Sequence, residues 1–159
     1  MSRSKAIKPR AIEPDVKYSS TLVTKLINRV MKSGKKTVAA AQVYQALDLV
    51  AHDTNQDAIE ALETAIKNIT PQMEVRSRRV GGAAYQVPTP VRGPRASALA
   101  IRWLVLESSK RPSGEFHSFG QKLAAEIKDA LENSGGAIQK KLTSHKMAEA
   151  NKAFAHFRW

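Results

Sequence analysis

From Ser20 to about residue 70, apolar residues recur at intervals of three and four. This spacing places side chains on one face of a helix. It predicts a first helix that stops at Ser33-Gly34 and a second over residues 37–52. A third helix is expected after a cap at Asn55 or Asp57, and Pro71 ends it. The apolar face of the first helix consists of Leu22, Val23, Leu26, Ile27, Val30 and Met31.

The period changes to two after the third helix. Residues 74–80 and 83–87 alternate and flank Gly81-Gly82. Both central residues of a type I′ hairpin turn need positive φ, which glycine adopts readily. Pro88 and Pro90 cannot donate to a ladder, so we predict an edge or free ribbon at about residues 73–89. The expected cross-strand pairs are Arg76 with Val87, Arg78 with Tyr85, and Val80 with Ala83.

Helical spacing then returns for three more helices. The fourth begins near Pro94 or Arg95 and the fifth near Phe119; Ser134-Gly135-Gly136 separates the fifth from the last. Their predicted apolar positions are Leu99, Trp103 and Leu106; then Leu123, Ile127 and Leu131; then Ile138, Leu142, Met147 and, less firmly placed, Phe154.

These elements predict a mainly α protein. We expect a single-domain bundle of about six helices with one protruding two-stranded β-ribbon. Two strands alone are marginally stable, so the helices must supply the core. Residues 1–17 carry Pro9, Pro14 and five basic residues without periodicity, which predicts an extended basic N-terminal arm. Residues 18–159 would form the helical domain, which carries the ribbon.

Charge narrows the functional classes. The 159 residues include 26 Lys+Arg and 14 Asp+Glu, a formal net charge of +12. Eight basic residues and one acid lie in residues 76–111, whereas five acids and one base lie in residues 53–74. Both chain ends are basic. A folded body with one surface for a polyanion has this pattern, and nucleic acid is the commonest such partner.

Several other classes of function lack support. The chain has no cysteine for a disulfide or a thiolate metal site. No run approaches the roughly 18 apolar residues of a membrane span, and the N-terminus lacks the apolar stretch of a signal peptide. The four histidines lack metal-ligand spacing, and no nucleophile, base and orienting group come together. We expect no enzyme activity, cofactor, metal, membrane partner or small-molecule substrate.

The ribbon itself predicts nucleic-acid binding. Arg76, Arg78 and Arg79 have few acids nearby, and guanidinium groups match phosphate oxygens bidentately. Tyr85 either stacks on an exposed base or packs on the protein body, and the sequence leaves both open. Charge by itself does not choose RNA over DNA.

Two other classes of function remain from the residues alone. Basic helices with an arginine-bearing ribbon would also suit an architectural DNA-binding protein. Such proteins often carry an apolar wedge at the ribbon tip, where this chain has two glycines. The acidic stretch, residues 53–74, could instead seat a basic protein partner, or be a solvated face.

Four stretches resemble one known family. They are INRVMKSGKK (27–36), EVRSRRVGGAAYQVP (74–88), ALAIRWL (98–104) and HKMAEANKAFAHFRW (145–159). In this order they resemble the bacterial-type family of ribosomal protein seven of the small subunit. The resemblance runs from about Pro9 to Trp159.

The resemblance implies a helical bundle with a protruding ribbon and a structural role in the small ribosomal subunit. It implies binding to the 3′ major domain of ribosomal RNA (rRNA) and initiation of head assembly. The ribbon and C-terminal region would lie at the subunit interface, near the exit-site tRNA and the mRNA path. Neighbouring head and platform proteins would be partners, in a cytoplasmic ribosome or, alternatively, an organellar one. Some family members also repress their own mRNA.

Carried onto this chain, the resemblance and the charge pattern assign two sets of residues. Trp103 also matches a family motif, but we expect it to pack in the core and not to contact RNA, because it lies on the apolar face of its helix. The expected rRNA contacts are Arg3, Lys5, Lys8, Arg10, Lys35, Lys36, Arg76, Arg78, Arg79, Arg92, Arg95 and Arg102. The positions expected near tRNA or mRNA are Gly81, Gly82, Tyr85, Lys146 and Lys152.

Three departures from the family pattern limit this transfer. Residues 111–118, RPSGEFHS, differ from the usual connection between the fourth and fifth helices, so no RNA contact is assigned there. Residues 92–95, RGPR, are an unusual entry to the fourth helix. Phe157 stands where a tyrosine is frequent, which puts a hydroxyl-dependent contact there in doubt.

Overall fold

The computed structural model describes residues 11–157. Arg3, Lys5, Lys8 and Arg10, which we expect to contact rRNA, lie outside this range. The described part contains six α-helices, a two-stranded antiparallel ribbon and a C-terminal 3₁₀ helix. Their bounds are α1 (Thr21–Val30), α2 (Lys36–Thr54), α3 (Ala58–Ile69), β1 (Met73–Val80), β2 (Ala83–Pro90), α4 (Pro94–Lys110), α5 (Phe119–Leu131), α6 (Gly135–Ala150) and the 3₁₀ helix (Lys152–Phe157). The predicted mainly α fold with a ribbon is confirmed.

Three of the six described α-helices, α1, α3 and α5, start at a side-chain cap. The Ser20 side chain accepts a hydrogen bond from the Leu22 N–H, and Asp57 accepts one from the Glu60 N–H. Ser118 and Gln121 form a reciprocal capping box at α5. Each cap satisfies N–H groups that the first helical turn leaves without a partner.

The core lies between α1, α2, α3, α4 and α5, with a smaller contribution from α6. The predicted apolar faces of α1, α2 and α5 supply most of its large side chains. Alanines between them allow the helices to approach closely. The largest fully buried aliphatic side chains are Val23, Leu26, Ile27, Val43, Leu47, Val50, Leu62, Ile69, Leu104, Leu123 and Ile127.

Two predicted faces are partly wrong. Leu106 of α4 is exposed, whereas Ile101 and Leu104 are buried and Trp103 packs on the core only in part. α4 contacts α1, α3, α5 and α6, so its buried side depends on where these neighbours lie.

The buried face of α6 is narrow and made of small residues. Leu142 and Met147 are exposed, and Ala137, Ser144 and Ala148 are buried with Ile138. Small side chains let the helix approach the ribbon and α4 closely. Phe154 belongs to the 3₁₀ helix and not to α6.

The ribbon has the predicted register, with Arg76 opposite Val87, Arg78 opposite Tyr85 and Val80 opposite Ala83. Its tip has φ of +57° at Gly81 and +93° at Gly82, which a type I′ turn requires.

α6 anchors the base of the ribbon. The Ser144 hydroxyl donates to the Met73 carbonyl at 3.1 Å, and the Gln72 N–H donates to His145 Nε2 at 3.0 Å. Val87 is fully buried, while residues 81–84 are exposed. The ribbon therefore has a fixed base and a projecting tip.

The described part of the predicted arm contacts the helices. The Thr24 hydroxyl donates to the Glu13 carbonyl at 2.9 Å, and the Tyr44 hydroxyl donates to Asp15 at 2.8 Å. Lys17 pairs with Asp48 at 2.8 Å, and this ion pair lowers the pKa of the Asp48 carboxyl. These contacts hold residues 13–17 against α1 and α2. The division of the chain into an arm and a helical domain stays a prediction.

Candidate nucleic-acid interface

A carboxylate at the base of the ribbon joins two of the predicted rRNA-binding arginines. Glu74 of β1 accepts hydrogen bonds from Arg95 Nε and Nη2, both at 2.8 Å, and from Arg76 Nε at 2.5 Å. The bonds from Arg95, with that from Arg76, keep the pKa of Glu74 below its ordinary value despite burial. Both arginines remain about half exposed. Each side chain is therefore partly open to solvent while it is bound to Glu74.

The rest of the ribbon is more open. Arg79 is exposed, Arg78 is half-buried, and the glycines of the tip face solvent. The strand alternation puts Arg78 and Arg79 on opposite sides of the ribbon. The ribbon thus presents arginine on both of its faces, as the sequence predicts.

Tyr85 packs on the protein body. Its ring centroid lies 5.3 Å from that of Phe154 and 5.2 Å from that of Phe157. This geometry favours the packing interpretation of the two left open by the sequence. Phe157 contributes its ring to this contact, so no hydroxyl is needed there.

The three rings of Tyr85, Phe154 and Phe157 hold the 3₁₀ helix against β2. Lys152 begins this helix and is exposed, as is Lys146 of α6. Both lysines therefore lie on elements that pack against the ribbon.

Arg102 lies in a hollow between α1 and α4. The hollow has Ile101 on its floor and the basic side chains of Lys25 and Arg29 on the α1 side. Arg95 precedes Arg102 by seven residues, about two helical turns, and both are exposed on α4. The basic surface therefore runs along α4 from the ribbon base to α1.

A second hollow continues this surface. Arg29 lines it together with Lys32 and Lys35, around the apolar side chains of Val38 and Phe119. Lys35 immediately precedes α2, and Lys36 is its first residue; both are exposed. Because Arg29 borders both hollows, the loop before α2 and the face of α4 belong to one basic surface.

Sequence reasoning missed three residues of this surface, Lys25, Arg29 and Lys32. Their signal was present: Lys25 and Arg29 are four residues apart on α1, opposite its apolar stripe. Arg92 is exposed between β2 and α4, where Gly93 has a φ of +58° before Pro94 begins the helix. Arg76 and Arg95 meet at Glu74, and Arg102 lies about two helical turns from Arg95 on the same surface.

Arg111 faces the protein interior. Its Nη2 donates to Glu126 at 2.6 Å and also contacts Asp129, and its guanidinium lies 5.7 Å from the Phe116 ring. Burial opposes the charge of Arg111, yet the two carboxylates raise its pKa. Arg111 therefore has its partners within the fold, whereas residues 112–115 are exposed.

Part of the acidic stretch has intramolecular roles. Asp53 pairs with Lys128 at 2.6 Å, and this pair lowers the pKa of Asp53. Asp57 caps α3, whereas Glu60 and Glu63 are exposed. Two carboxylates of α3 are therefore open to solvent.

Residues 11–157 contain no group of three or more histidine, aspartate or glutamate side chains placed to hold a metal ion. No helix within the same range has the length and apolar character needed to cross a membrane.

Comparisons with known proteins agree with this geometry. The family model "Ribosomal protein S7p/S5e" matches residues 2–152. The small ribosomal subunit protein uS7 of Xylella fastidiosa strain M12 is 54% identical over 159 residues, covering 100% of both chains. The proteins of the same name from Heliobacterium modesticaldum and Dictyoglomus turgidum are 52% and 50% identical, again over 100% of both chains. The resemblance inferred from the four sequence stretches is confirmed.

Proposed function

The chain belongs to the S7p/S5e family of ribosomal proteins, and from this premise we propose its specific role within the small subunit. Membership makes it a ribosomal protein that binds rRNA and has ribosomal proteins as partners. We propose that it binds the 3′ major domain directly and nucleates assembly of the head.

The continuous basic surface carries this proposal. It extends from Arg76 and Arg95 at the ribbon base, past Arg102 and Arg29, to Lys35 before α2. Charged groups on this path displace counterions from RNA. Their fixed positions on a rigid helical body let the surface match one RNA shape, which adds selectivity to the charge effect.

A binding experiment tests this role. The full chain is titrated with a transcript of the 3′ major domain at increasing salt. A transcript of another small-subunit domain and a DNA duplex of equal length serve as controls. We expect a preference for the 3′ major domain that persists as salt rises. Equal affinities that fall together would reject the proposal and favour a general polycation or the architectural DNA alternative.

We also propose that the ribbon tip and the C-terminal region lie near the exit-site tRNA and the mRNA path. The exposed tip, with Lys146 and Lys152 on elements packed against the ribbon, supports this. Because the chain has no cysteine, Ala84→Cys would introduce the sole thiol for a tethered cleavage reagent. We expect cleavage of exit-site tRNA from this position and none from a matched Glu63→Cys variant on α3.

We further propose that the protein belongs to a cytoplasmic ribosome and that it binds RNA without catalysing a reaction. The relatives named above are bacterial proteins, which supports a cytoplasmic ribosome. Binding without catalysis fits a ribosomal structural family. The exposed carboxylates of Glu60 and Glu63 on α3 would contact a basic neighbouring protein of the head or platform.

A further inference from the structure

One carboxylate lies within the basic surface and is nearly buried. Glu74 is 7% exposed, yet its neighbours at the ribbon base are Arg76 and Arg95. An acid in an RNA-binding surface weakens attraction to phosphate. Its presence there needs a compensating benefit.

The geometry shows what this carboxylate does to the two arginines. Arg95 places Nε 2.8 Å and 3.0 Å from the two carboxylate oxygens and Nη2 2.8 Å from one of them. Arg76 approaches through Nε alone. A guanidinium carries five N–H donors, so these contacts use one of those of Arg76 and two of those of Arg95. The outer half of each fork stays available.

The two arginines come from different elements, since Arg76 lies on β1 and Arg95 on the first turn of α4. Two free guanidinium groups repel each other, and each loses rotamer freedom when it binds a phosphate. A carboxylate between them offsets the repulsion and orders both side chains before RNA arrives. Preorganisation of this kind improves affinity by reducing the entropy lost on binding.

We propose that Glu74 is a positioning residue for RNA, which holds Arg76 and Arg95 as a preformed pair of phosphate-binding forks. This inference rests on the proposed function. Neither the negative charge of Glu74 nor the family resemblance predicted a role for this residue in RNA binding. Glu74 would act through the arginines and would not touch RNA itself.

Charge alone predicts the opposite result from positioning. Glu74→Gln raises the formal net charge from +12 to +13, since one carboxylate is removed. If charge were the only effect, every nucleic acid would bind somewhat more tightly. If Glu74 positions the arginines, the specific RNA binds more weakly while generic duplex DNA does not. The sign of the change therefore separates the two explanations.

The experiment compares Glu74→Gln with Glu63→Gln, which removes an exposed carboxylate from α3 and makes the same change in charge. Both variants and the parent are titrated with the 3′ major domain transcript and with duplex DNA. We expect about a tenfold loss of transcript affinity for Glu74→Gln, the effect of misplacing one bidentate arginine. Glu63→Gln should bind both ligands as tightly as the parent or slightly more tightly.

A second variant keeps the test valid if Glu74→Gln does not fold. Arg95→Lys preserves the charge and a partner for Glu74 but removes the planar fork. We expect a similar loss of transcript affinity, with duplex binding unchanged. Equal transcript affinities for Glu74→Gln and Glu63→Gln, or for Arg95→Lys and the parent, would overturn the positioning role. A parent that shows no transcript preference would instead refute the proposed function.

Discussion

Two glutamates in this protein each bind arginine, at opposite ends of α4. At the C-terminal end, the Glu126 side chain is 2% exposed and its partner Arg111 is 19% exposed. At the N-terminal end, the Glu74 side chain is 10% exposed, and the side chains of Arg76 and Arg95 are 53% and 50% exposed. One cluster encloses its arginine, and the other presents its arginines to solvent.

The difference follows from the surroundings of each carboxylate. Glu126 lies between helices, and its other oxygen accepts a hydrogen bond from the Ala137 N–H at 2.8 Å. Gly135 has a φ of +86°, and a Cβ there would lie 2.9 Å from the Asp129 Cβ and 3.1 Å from the Glu126 carboxylate, so glycine suits this position. Glu74 sits at the root of a two-stranded ribbon, which is too thin to surround an arginine. The same pair of residue types is therefore enclosed by the fold in one place and open to solvent in the other, where we propose that it prepares a binding surface.

The largest effect is expected at the enclosed cluster. Glu126→Ala should reduce the free energy of unfolding by about 3–5 kcal/mol, because it removes one of the two carboxylate partners of a mostly buried guanidinium and the acceptor of the Ala137 N–H. Urea unfolding measures this change. Glu132→Ala, at the exposed end of α5, is the matched control and should change stability by less than about 0.5 kcal/mol. If both variants unfold at the same urea concentration, the cluster does not support the fold.

At the open cluster around Glu74, we expect a large effect on RNA affinity and a small effect on stability. Arg95→Ala is expected to weaken binding to the 3′ major domain transcript by about tenfold and to reduce the salt slope by about one. Glu74 keeps Arg76 as a partner, so the melting temperature should fall only slightly. Transcript titration and thermal unfolding are measured on the same sample. A large loss of melting temperature with unchanged affinity would mean that Arg95 is structural, like Arg111.

A smaller effect is expected where the ribbon meets the C-terminal 3₁₀ helix. Tyr85→Ala removes ring contacts with Phe154 and Phe157, and each such pair contributes about 0.5–1.5 kcal/mol. We expect a total loss of about 1–2 kcal/mol and increased hydrogen exchange in the 3₁₀ helix. Tyr85→Phe should keep both ring contacts and behave like the parent. If Tyr85→Phe and Tyr85→Ala lose RNA affinity equally, the hydroxyl contacts RNA and packing is not the main role.

The smallest effect concerns pH at the base of the ribbon. Burial, followed by the charge of Lys141, lowers the pKa of His145 below its ordinary 6.5. The unfolded chain then binds a proton at a pH where the folded chain does not, so stability decreases as pH falls below about 6.5. The Gln72 N–H donates to His145 Nε2, and protonation removes this acceptor.

Unfolding measured between pH 7.5 and 5 tests this dependence. We expect His145→Gln to show a flatter stability profile over this range, since its side chain does not titrate. His156→Gln, in the exposed part of the 3₁₀ helix, is the control and should keep the slope of the parent. Identical slopes for the parent and His145→Gln would show that His145 does not cause the dependence of stability on pH.

Local signals in the sequence predicted most element positions. Ser20 and Asp57 are caps with short polar side chains, and their hydrogen bonds depend only on residues within one helical turn. The paired glycines at the ribbon tip determine the turn, and the turn determines the register of both strands. Such features are predictable because their causes lie a few residues apart.

Features that depend on distant neighbours were less predictable. Leu106 and Leu142 have the right spacing for a buried face, but both are exposed and no helix within residues 11–157 covers them. The sequence shows Lys25 and Arg29 on the polar face of α1. That they line the same hollow as Arg102 depends on the packing of α4 against α1. Spacing shows which residues share a face, but it does not show which face meets another element.

The amino-acid pattern was sufficient to predict a mainly helical protein with a basic ribbon and a nucleic-acid partner, and it carried a family resemblance that comparison confirmed. The role of each charge became clear from the packing of the folded chain. Arg111 and Arg95 look alike in the sequence, yet one is enclosed by helices and the other remains half exposed at the ribbon root. The physical reason is that the environment of a charge depends on the atoms packed around it, and those atoms come from distant parts of the chain.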